Sequence, residues 1–167
     1  MSWVEGLKNQ LPLYAKDARL NLEAVLTKSS LDANVAAGCA YASALALADS
    51  VLTEYLDHSL DPAIKEPAHA AAITMAQNNV WYPFAEMARK ALQGDNNPRL
   101  RMNAVVTYKG AAFEAYSLAA SIIGKCHFCI EAHIKSLEAE RWSIDQIRDV
   151  GRIAATMNAV SKGLRFS

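Results

Sequence analysis

Hydrophobic side chains recur every three or four residues along most of the chain, which is the spacing of amphipathic helices. The sequence contains no run in which apolar and polar residues alternate between turn signals, as they would in a half-buried strand. Alanine and leucine are abundant, whereas glycine is scarce. The pattern therefore predicts an all-α protein.

Residues with capping chemistry divide this pattern into separate helices. Ser29-Ser30 can cap one helix, Asp61-Pro62 can open another, and Ser143 with Gln146 forms a capping box. The segment QGDNNP at 93–98 is the clearest loop. The predicted helices are Leu7–Leu26, interrupted or restarted at Pro12; Asp32–Leu47; Val51–Leu56; Glu66–Leu92, with Pro83 as a potential break; Arg99–Val106; Ala111–Ile123; Cys126–Glu140; and Ser143–Gly163.

A faint internal repeat suggests that the chain contains two related halves. Residues 30–50 can be aligned with residues 110–128 at a shift of about 76. Under this alignment Ser50, Thr53 and Asp57 occupy the places of a CxxCxxxH motif in the second half. If the halves are related, only the second carries thiol chemistry.

Length and charge limit the classes of function. The 167 residues suit one domain, 1–167, with an N-terminal half of about 1–94 and a C-terminal half of about 99–167. Seventeen basic and seventeen acidic residues balance, so no basic field exists to bind nucleic acid or an anionic membrane. No apolar window is long enough to span a bilayer, and the N-terminus lacks the pattern of a signal peptide. We therefore expect a cytoplasmic protein with neither a nucleic-acid nor a membrane partner.

Three cysteines in a reducing compartment rarely form structural disulfides. Cys39 lies in an alanine-rich run and is best interpreted as a small buried hydrophobic residue. Cys126 and Cys129 differ, because they lie three apart in GKCHFCIEAHIKSL. On a helix their Cα atoms would be roughly 5 Å apart, within the ~4.4–6.8 Å that a disulfide needs. The pair can therefore close and open without a large movement of the backbone.

A base and an orienting carboxylate accompany the two thiols. His133 follows Cys129 by four residues, so both lie on one helix face, where the imidazole can take the proton of the thiol. If the chain folds back at Gly124 as a hairpin, Glu114 comes to lie within a turn of His133 and can orient its ring. This geometry predicts a relay from Glu114 through His133 to Cys129, with Cys126 as the partner thiol at the bend, nearer the surface.

Two other interpretations of the motif remain open. Cys126, Cys129, His133 and His127 offer four zinc ligands, but His127 points about 100° away from its neighbour on a helix and no second CxxC pair exists. The pair can also be inert. A thioredoxin fold is disfavoured because it requires CxxC between a strand and a helix. The residues favour a redox-active dithiol and no bound metal.

The spacing of Glu114, Cys126-x-x-Cys129 and His133 resembles the signature of the alkyl hydroperoxidase D family, part of the carboxymuconolactone decarboxylase-like superfamily. GLKNQLPLYAKDARLNL near the start, NNVWY at 78–82 and LRMN at 100–103 extend the resemblance over most of the chain. The resemblance implies the full-length hydroperoxidase type, with an all-helical AhpD-like fold and commonly a homotrimer.

The resemblance also implies a lipoyl-dependent peroxidase in antioxidant defence, with no tightly bound cofactor. Dihydrolipoyl groups on a 2-oxoacid dehydrogenase component would reduce the dithiol. The dithiol would then reduce a peroxiredoxin, AhpC, through a mixed disulfide, and weakly reduce alkyl hydroperoxides. By this resemblance Cys129 is the nucleophile that passes through a sulfenic acid and links to the partner. Cys126 is the proton donor and resolving thiol, and Glu114 and His133 are the relay.

One position departs from the family pattern. Members often have histidine immediately before the second cysteine, whereas this chain has Phe128 there and His127 one place earlier. We expect this change to affect peroxide turnover more than dithiol exchange, which needs only two sulfurs and a base.

In the first half of the chain, Trp81 and Tyr82 beside Asn78-Asn79 are expected to make a helix–helix contact rather than an active-site wall.

Two other functions are compatible with part of the sequence. A redox-sensing or scaffold protein, switched by its CxxC disulfide, would show little turnover but an oxidation-dependent change in assembly. The decarboxylase chemistry in the superfamily's name is disfavoured, because an acid–base site would leave the CxxC pair unexplained.

Overall fold

A computed structural model describes residues 2–102 and 107–166. Within these residues every regular element is helical, which confirms the predicted all-α class. None of the helices there is both long and apolar enough to cross a membrane. The elements are α1 (Ser2–Gln10), a 3₁₀ turn (Leu13–Ala15), α2 (Lys16–Thr27), α3 (Ala33–Ala46), α4 (Ser50–Asp57), α5 (Pro62–Met87), α6 (Ala111–Gly124), α7 (His127–Ala139) and α8 (Ile144–Arg165).

Polar side chains begin most of these helices. Asp61 caps α5 with Pro62 in the first turn, and Ser143 with Gln146 forms the predicted capping box of α8. The predicted cap Ser29-Ser30 is wrong. Asp32 caps α3 instead, while the backbone N–H and hydroxyl of Ser30 donate to the Asp149 carboxylate at 2.7 and 2.8 Å.

The two prolines flagged in the sequence behave differently. Pro12 separates α1 from α2, as predicted, with a 3₁₀ turn after it. Pro83 does not break α5, which starts at Pro62 rather than Glu66 and ends at Met87 rather than Leu92. Pro83 lies near the C-terminal end of α5, so the helix loses a single backbone hydrogen bond there and continues to its end.

The helix predicted over Arg99–Val106 is wrong for the part that can be checked. Residues 99–102 are not helical, and residues 103–106 lie outside the described residues. The Asp95 and Asn97 side chains accept hydrogen bonds from the backbone two residues later, at 3.0 and 2.9 Å. Such local bonds compete with a helix, and Arg99 adopts a positive φ of 51°.

The two most apolar of the described helices, α3 and α6, pack against each other at the centre. Helices α5 and α8 each pack on both of them, α7 covers α6 and α5, and α2 covers α8. Nearly continuous runs, 36–44 and 115–121, are buried in α3 and α6. These two helices lack an exposed polar face, because neighbours surround them on several sides.

The succession α3–α4–α5 is repeated by α6–α7–α8. Asp49 caps α4 and Cys126 caps α7, and each side chain accepts from the N–H three residues later. The caps therefore pair Asp49, rather than Ser50, with Cys126, so this alignment of the halves differs by one residue from the alignment of the sequences. Leu52, rather than Thr53, corresponds to Cys129.

Gly38 marks the closest approach of α3 to α6. A Cβ atom at Gly38 would overlap the ring of Tyr116, which is itself buried on α6. Gly151, in the interior of α8, has open space around the same position. The contact between the two central helices therefore requires a residue without a side chain.

We expect Gly38→Ala to lower the free energy of unfolding by about 1–3 kcal/mol, because the added methyl group overpacks the α3–α6 contact. Gly151→Ala is the matched control and should raise it by roughly 0.5–1 kcal/mol, since alanine favours a helix interior. Denaturant unfolding of both variants measures the difference. Equal free energies of unfolding for the two variants would contradict the prediction, since α3 and α6 would then accommodate the added methyl group without loss of stability.

Candidate active site

The connection between α6 and α7 is a tight turn made by Lys125 and Cys126. Lys125 adopts the left-handed conformation, with φ 56° and ψ 31°. The N–H of Cys126 donates to Ser121 O at 3.2 Å and the N–H of Lys125 to Ile122 O at 3.1 Å, which is the Schellman pattern. The hairpin assumed from the sequence is therefore present.

Cys126 and Cys129 form a disulfide across the first turn of α7. Their Cα atoms are 5.3 Å apart, close to the distance expected from helix geometry. The Cys126 sulfur also caps the helix by accepting the N–H of Cys129 at 3.3 Å. One residue therefore serves both as a redox group and as the start of the helix.

The predicted exposure of the two sulfurs is wrong. Cys126 is fully buried, although it sits at the bend, because Met75 from α5 and Ala120 from α6 pack against it. Cys129 is 4% exposed and lines a cavity of about 310 Å³ together with Asn78, Tyr82, Phe128, Ala132 and His133. Of the two sulfurs, Cys129 is the one that a molecule in the cavity can reach.

Glu114 and His133 are brought together across the hairpin. The Glu114 Oε2 atom lies 2.8 Å from His133 Nδ1. Because a carboxylate only accepts, Nδ1 carries the hydrogen of this bond. The bond from His133 lowers the pKa of Glu114, against burial, which would raise it. The pairing predicted from the sequence is therefore observed.

The other ring nitrogen of His133 does not point at a cysteine. Its Nε2 atom lies 3.1 Å from the Met75 sulfur on α5. His133 and Cys129 nevertheless line the same cavity. In the disulfide state the Glu114–His133 end of the predicted relay is formed, while the step from His133 to Cys129 stays a prediction.

The chain is similar in sequence to several known proteins. The carboxymuconolactone decarboxylase family model matches residues 101–165, which contain the hairpin. An alkyl hydroperoxide reductase AhpD of Rhodospirillum centenum is 39% identical over 95% of this chain and 88% of its own length. Proteins with the same name from Anaeromyxobacter sp. (strain K) and Gluconacetobacter diazotrophicus are 36% and 37% identical, over 100% and 96% of this chain and 93% and 92% of their own lengths.

The chain belongs to the alkyl hydroperoxide reductase AhpD family.

His127 does not take the place of a histidine before Cys129 in this AhpD family member. Its Nε2 atom lies 3.2 Å from Glu86 Oε2 at the surface, and its side chain is 60% exposed. Phe128 instead lines the cavity beside Cys129. No group of three or more His, Cys, Asp or Glu side chains placed to hold a metal ion occurs within residues 2–102 and 107–166.

Sequence reasoning missed part of the cavity wall. Asn78 and Tyr82 line the cavity, although a helix–helix contact was expected there. That expectation holds for Asn79, whose side chain donates to Ala120 O on α6 at 3.2 Å, while Trp81 donates to Asn96 O at 3.3 Å. The spacing of Met75, Asn78 and Tyr82 places them on one face of α5, and this pattern could have predicted that Asn78 and Tyr82 share a wall.

We expect Glu114→Gln to remove part of the acid sensitivity of the fold. The lowered pKa means that the unfolded chain binds a proton at Glu114 more readily than the folded protein does, so stability falls as the pH drops below the ordinary value of 4.5. The stability gap between wild type and Glu114→Gln should be constant near neutral pH and shrink as the carboxyl becomes protonated. Unfolding free energies across this pH range test the expectation. Glu131→Gln, on the exposed side of α7, is the matched control, and an identical pH profile for both variants would contradict the effect.

Proposed function

We propose that the protein is an antioxidant oxidoreductase, a lipoyl-dependent peroxidase and thiol–disulfide reductase. The observation that supports this most is the Cys126–Cys129 disulfide. Its Cys129 sulfur lines the same cavity as His133, which is paired with Glu114. The name shared by its relatives, alkyl hydroperoxide reductase AhpD, supports a peroxide-related role.

The cavity suits a slim apolar thiol carrier. Tyr82, Phe128 and Ala132 supply apolar wall, and Cys129 lies among them. A dihydrolipoyl group places two thiols at the end of a hydrocarbon arm, which such a wall can accommodate. We infer that the physiological donor is a dihydrolipoyl group on a lipoylated 2-oxoacid dehydrogenase component, and that no cofactor is tightly bound.

Reduction then proceeds by two exchanges of sulfur partners. A donor thiolate attacks the Cys129 sulfur, the bond to Cys126 breaks, and its electron pair leaves with the Cys126 sulfur, which takes up a proton. The second donor thiol attacks the mixed disulfide, closing the donor's own disulfide and releasing Cys129. Cys129 is the entry point because it faces the cavity, whereas Cys126 is covered.

Oxidation of the dithiol restores the disulfide. The Cys129 thiolate attacks the terminal oxygen of an alkyl hydroperoxide and the O–O bond breaks. The alkoxide takes up a proton and leaves as the alcohol, while Cys129 keeps the terminal oxygen as a sulfenic acid. The Cys126 thiol then attacks that sulfur and water leaves. A disulfide of a peroxiredoxin of the AhpC type can replace the hydroperoxide as acceptor, through a mixed disulfide at Cys129.

The Glu114–His133 pair provides the proton transfers of both half-reactions. His133 lies in the same cavity as Cys129, so its ring can accept the thiol proton and return it. The hydrogen bond to Glu114 fixes the tautomer, with the hydrogen on Nδ1, and leaves Nε2 for this exchange. A cytoplasmic location is part of the proposal, since a reversible dithiol needs a reducing compartment.

We also infer that the protein forms a homotrimer. Ile73, Val80, Phe84 and Met87 form an exposed apolar stripe on α5, at the spacing of one helix face. A stripe of this kind is typical of a surface that is covered by another subunit.

We expect Cys129→Ser and Cys126→Ser each to abolish turnover, because either change removes the disulfide. NADH loss is followed with lipoamide dehydrogenase, lipoamide and a hydroperoxide, with and without an AhpC-type peroxiredoxin. Cys39→Ala is the matched control, since Cys39 is fully buried on α3, away from the cavity. Turnover retained in Cys129→Ser would refute the proposed function.

Gel filtration of oxidised and reduced protein tests the sensor alternative, which requires different elution for the two states.

We expect Val80→Lys to weaken the trimer, because it places a charge in the apolar stripe. Val51→Lys on α4 is the matched control, as Val51 is 60% exposed and Val80 is 70% exposed. Sedimentation measures the mass of each variant. A wild-type monomer, or a Val80→Lys variant that still sediments as the trimer, would contradict the assignment of this surface.

A further inference from the structure

Met75 contacts the His133 Nε2 atom, and nothing in the function described so far requires this residue. It lies on α5, is 2% exposed, and packs against Ala120 and both cysteines of the disulfide. Its sulfur is 3.1 Å from His133 Nε2. Helix α5 lies outside residues 101–165, the part of the chain that the family model matches.

The hydrogen-bond partners of His133 determine which state of the ring this contact favours. Glu114 accepts from Nδ1, so a neutral ring has a lone pair on Nε2. That lone pair would face the lone pairs of the Met75 sulfur at 3.1 Å, which is repulsive. A protonated ring has a hydrogen on Nε2, which the thioether can accept. The contact is therefore favourable when His133 is an imidazolium.

We propose that Met75 is a positioning residue that holds His133 in its protonated form while the cysteines are oxidised. This proposal rests on the proposed function. In the disulfide state no cysteine proton or thiolate is present to bind Nε2, and the Met75 sulfur takes that place. The contact keeps the proton on Nε2 and fixes the ring plane in the cavity that Cys129 also lines.

The proton held there is used in the second exchange of the reductive half-reaction. The bond between Cys129 and the donor sulfur breaks, and its electron pair goes to the Cys129 sulfur. The proton on His133 Nε2 moves to that sulfur, while the donor closes its own disulfide. The ring is then neutral and no longer donates to Met75, so Nε2 is free to accept the thiol proton in the peroxide step.

The other groups around His133 bear on its protonation as well. Glu114 from α6 favours the imidazolium through its carboxylate, and Cys129 lies on the same helix. Tyr108 and Lys109, from the segment before α6, line a second cavity with Met75, Glu114 and His133, and the Lys109 charge opposes the imidazolium. Met75 is the group that contacts Nε2 itself.

The test compares Met75→Leu, which fills the site without an acceptor, with Met75→Gln, whose amide oxygen can accept the N–H. Nitrogen NMR of labelled histidine in the oxidised protein reports which ring atoms carry hydrogen. We expect Met75→Leu to lower the fraction of His133 with hydrogen on Nε2, and Met75→Gln to restore it. We expect kcat for reduction by dihydrolipoamide to fall about tenfold in Met75→Leu, the effect of losing a hydrogen bond to a charged group.

Met157→Leu is the matched control, since Met157 is fully buried on α8 and belongs to the main core. It should leave the His133 spectrum and kcat unchanged. An unchanged His133 spectrum in Met75→Leu, or equal loss of kcat in Met75→Leu and Met75→Gln, would overturn the proposal and reduce Met75 to a packing residue. Failure of dihydrolipoamide to reduce the wild-type protein would instead refute the proposed function, and the spectra would still decide whether Met75 binds the protonated ring.

Discussion

The candidate site depends on the reversal of chain direction at Lys125. The Schellman bonds to Ser121 and Ile122 close α6, and the chain then enters α7 after two intervening residues, Lys125 and Cys126. This turn alone places Glu114 opposite His133, nineteen residues apart in sequence. Helix α5 braces the turn, because Gly124 has no room for a Cβ atom beside the Asn79 amide, which donates to Ala120 O. A looser connection would separate the carboxylate from the imidazole.

Much of this local geometry could be predicted from the sequence, because it depends on neighbours along the chain. Helical spacing gave the distance between the two cysteines, and the assumption of a hairpin gave the Glu114–His133 contact. The burial of Cys126 and the Met75 contact could not be predicted, since both depend on how α5 packs against the hairpin. The error at Arg99 has another cause, because the backbone there turns through a positive φ of 51° that a helix cannot contain, after two local side-chain bonds from Asp95 and Asn97.

The two histidines of the motif show how one position on a helix separates two environments. His133 lies inside, between Glu114 and Met75, whereas His127 lies at the surface beside Glu86. Phe128, the residue before Cys129, contributes an apolar ring to the cavity wall. Charge near the Cys129 sulfur is therefore concentrated on one side, at the Glu114–His133 pair.

Cys126 both caps α7 and forms the disulfide with Cys129, so the stability of the first turn of α7 is coupled to the oxidation state of the pair. In the disulfide the Cys126 sulfur accepts the N–H of Cys129 while it is bonded to the Cys129 sulfur, whereas after reduction that bond no longer holds the sulfur at the start of α7. The two oxidation states therefore stabilise the start of α7 to different extents. By thermodynamic linkage, the difference in free energy with which the cap stabilises the two states shifts the reduction potential of the pair by the same free energy. A substitution that strengthens or weakens the first turn of α7 is thus also expected to change the reduction potential of the Cys126–Cys129 pair.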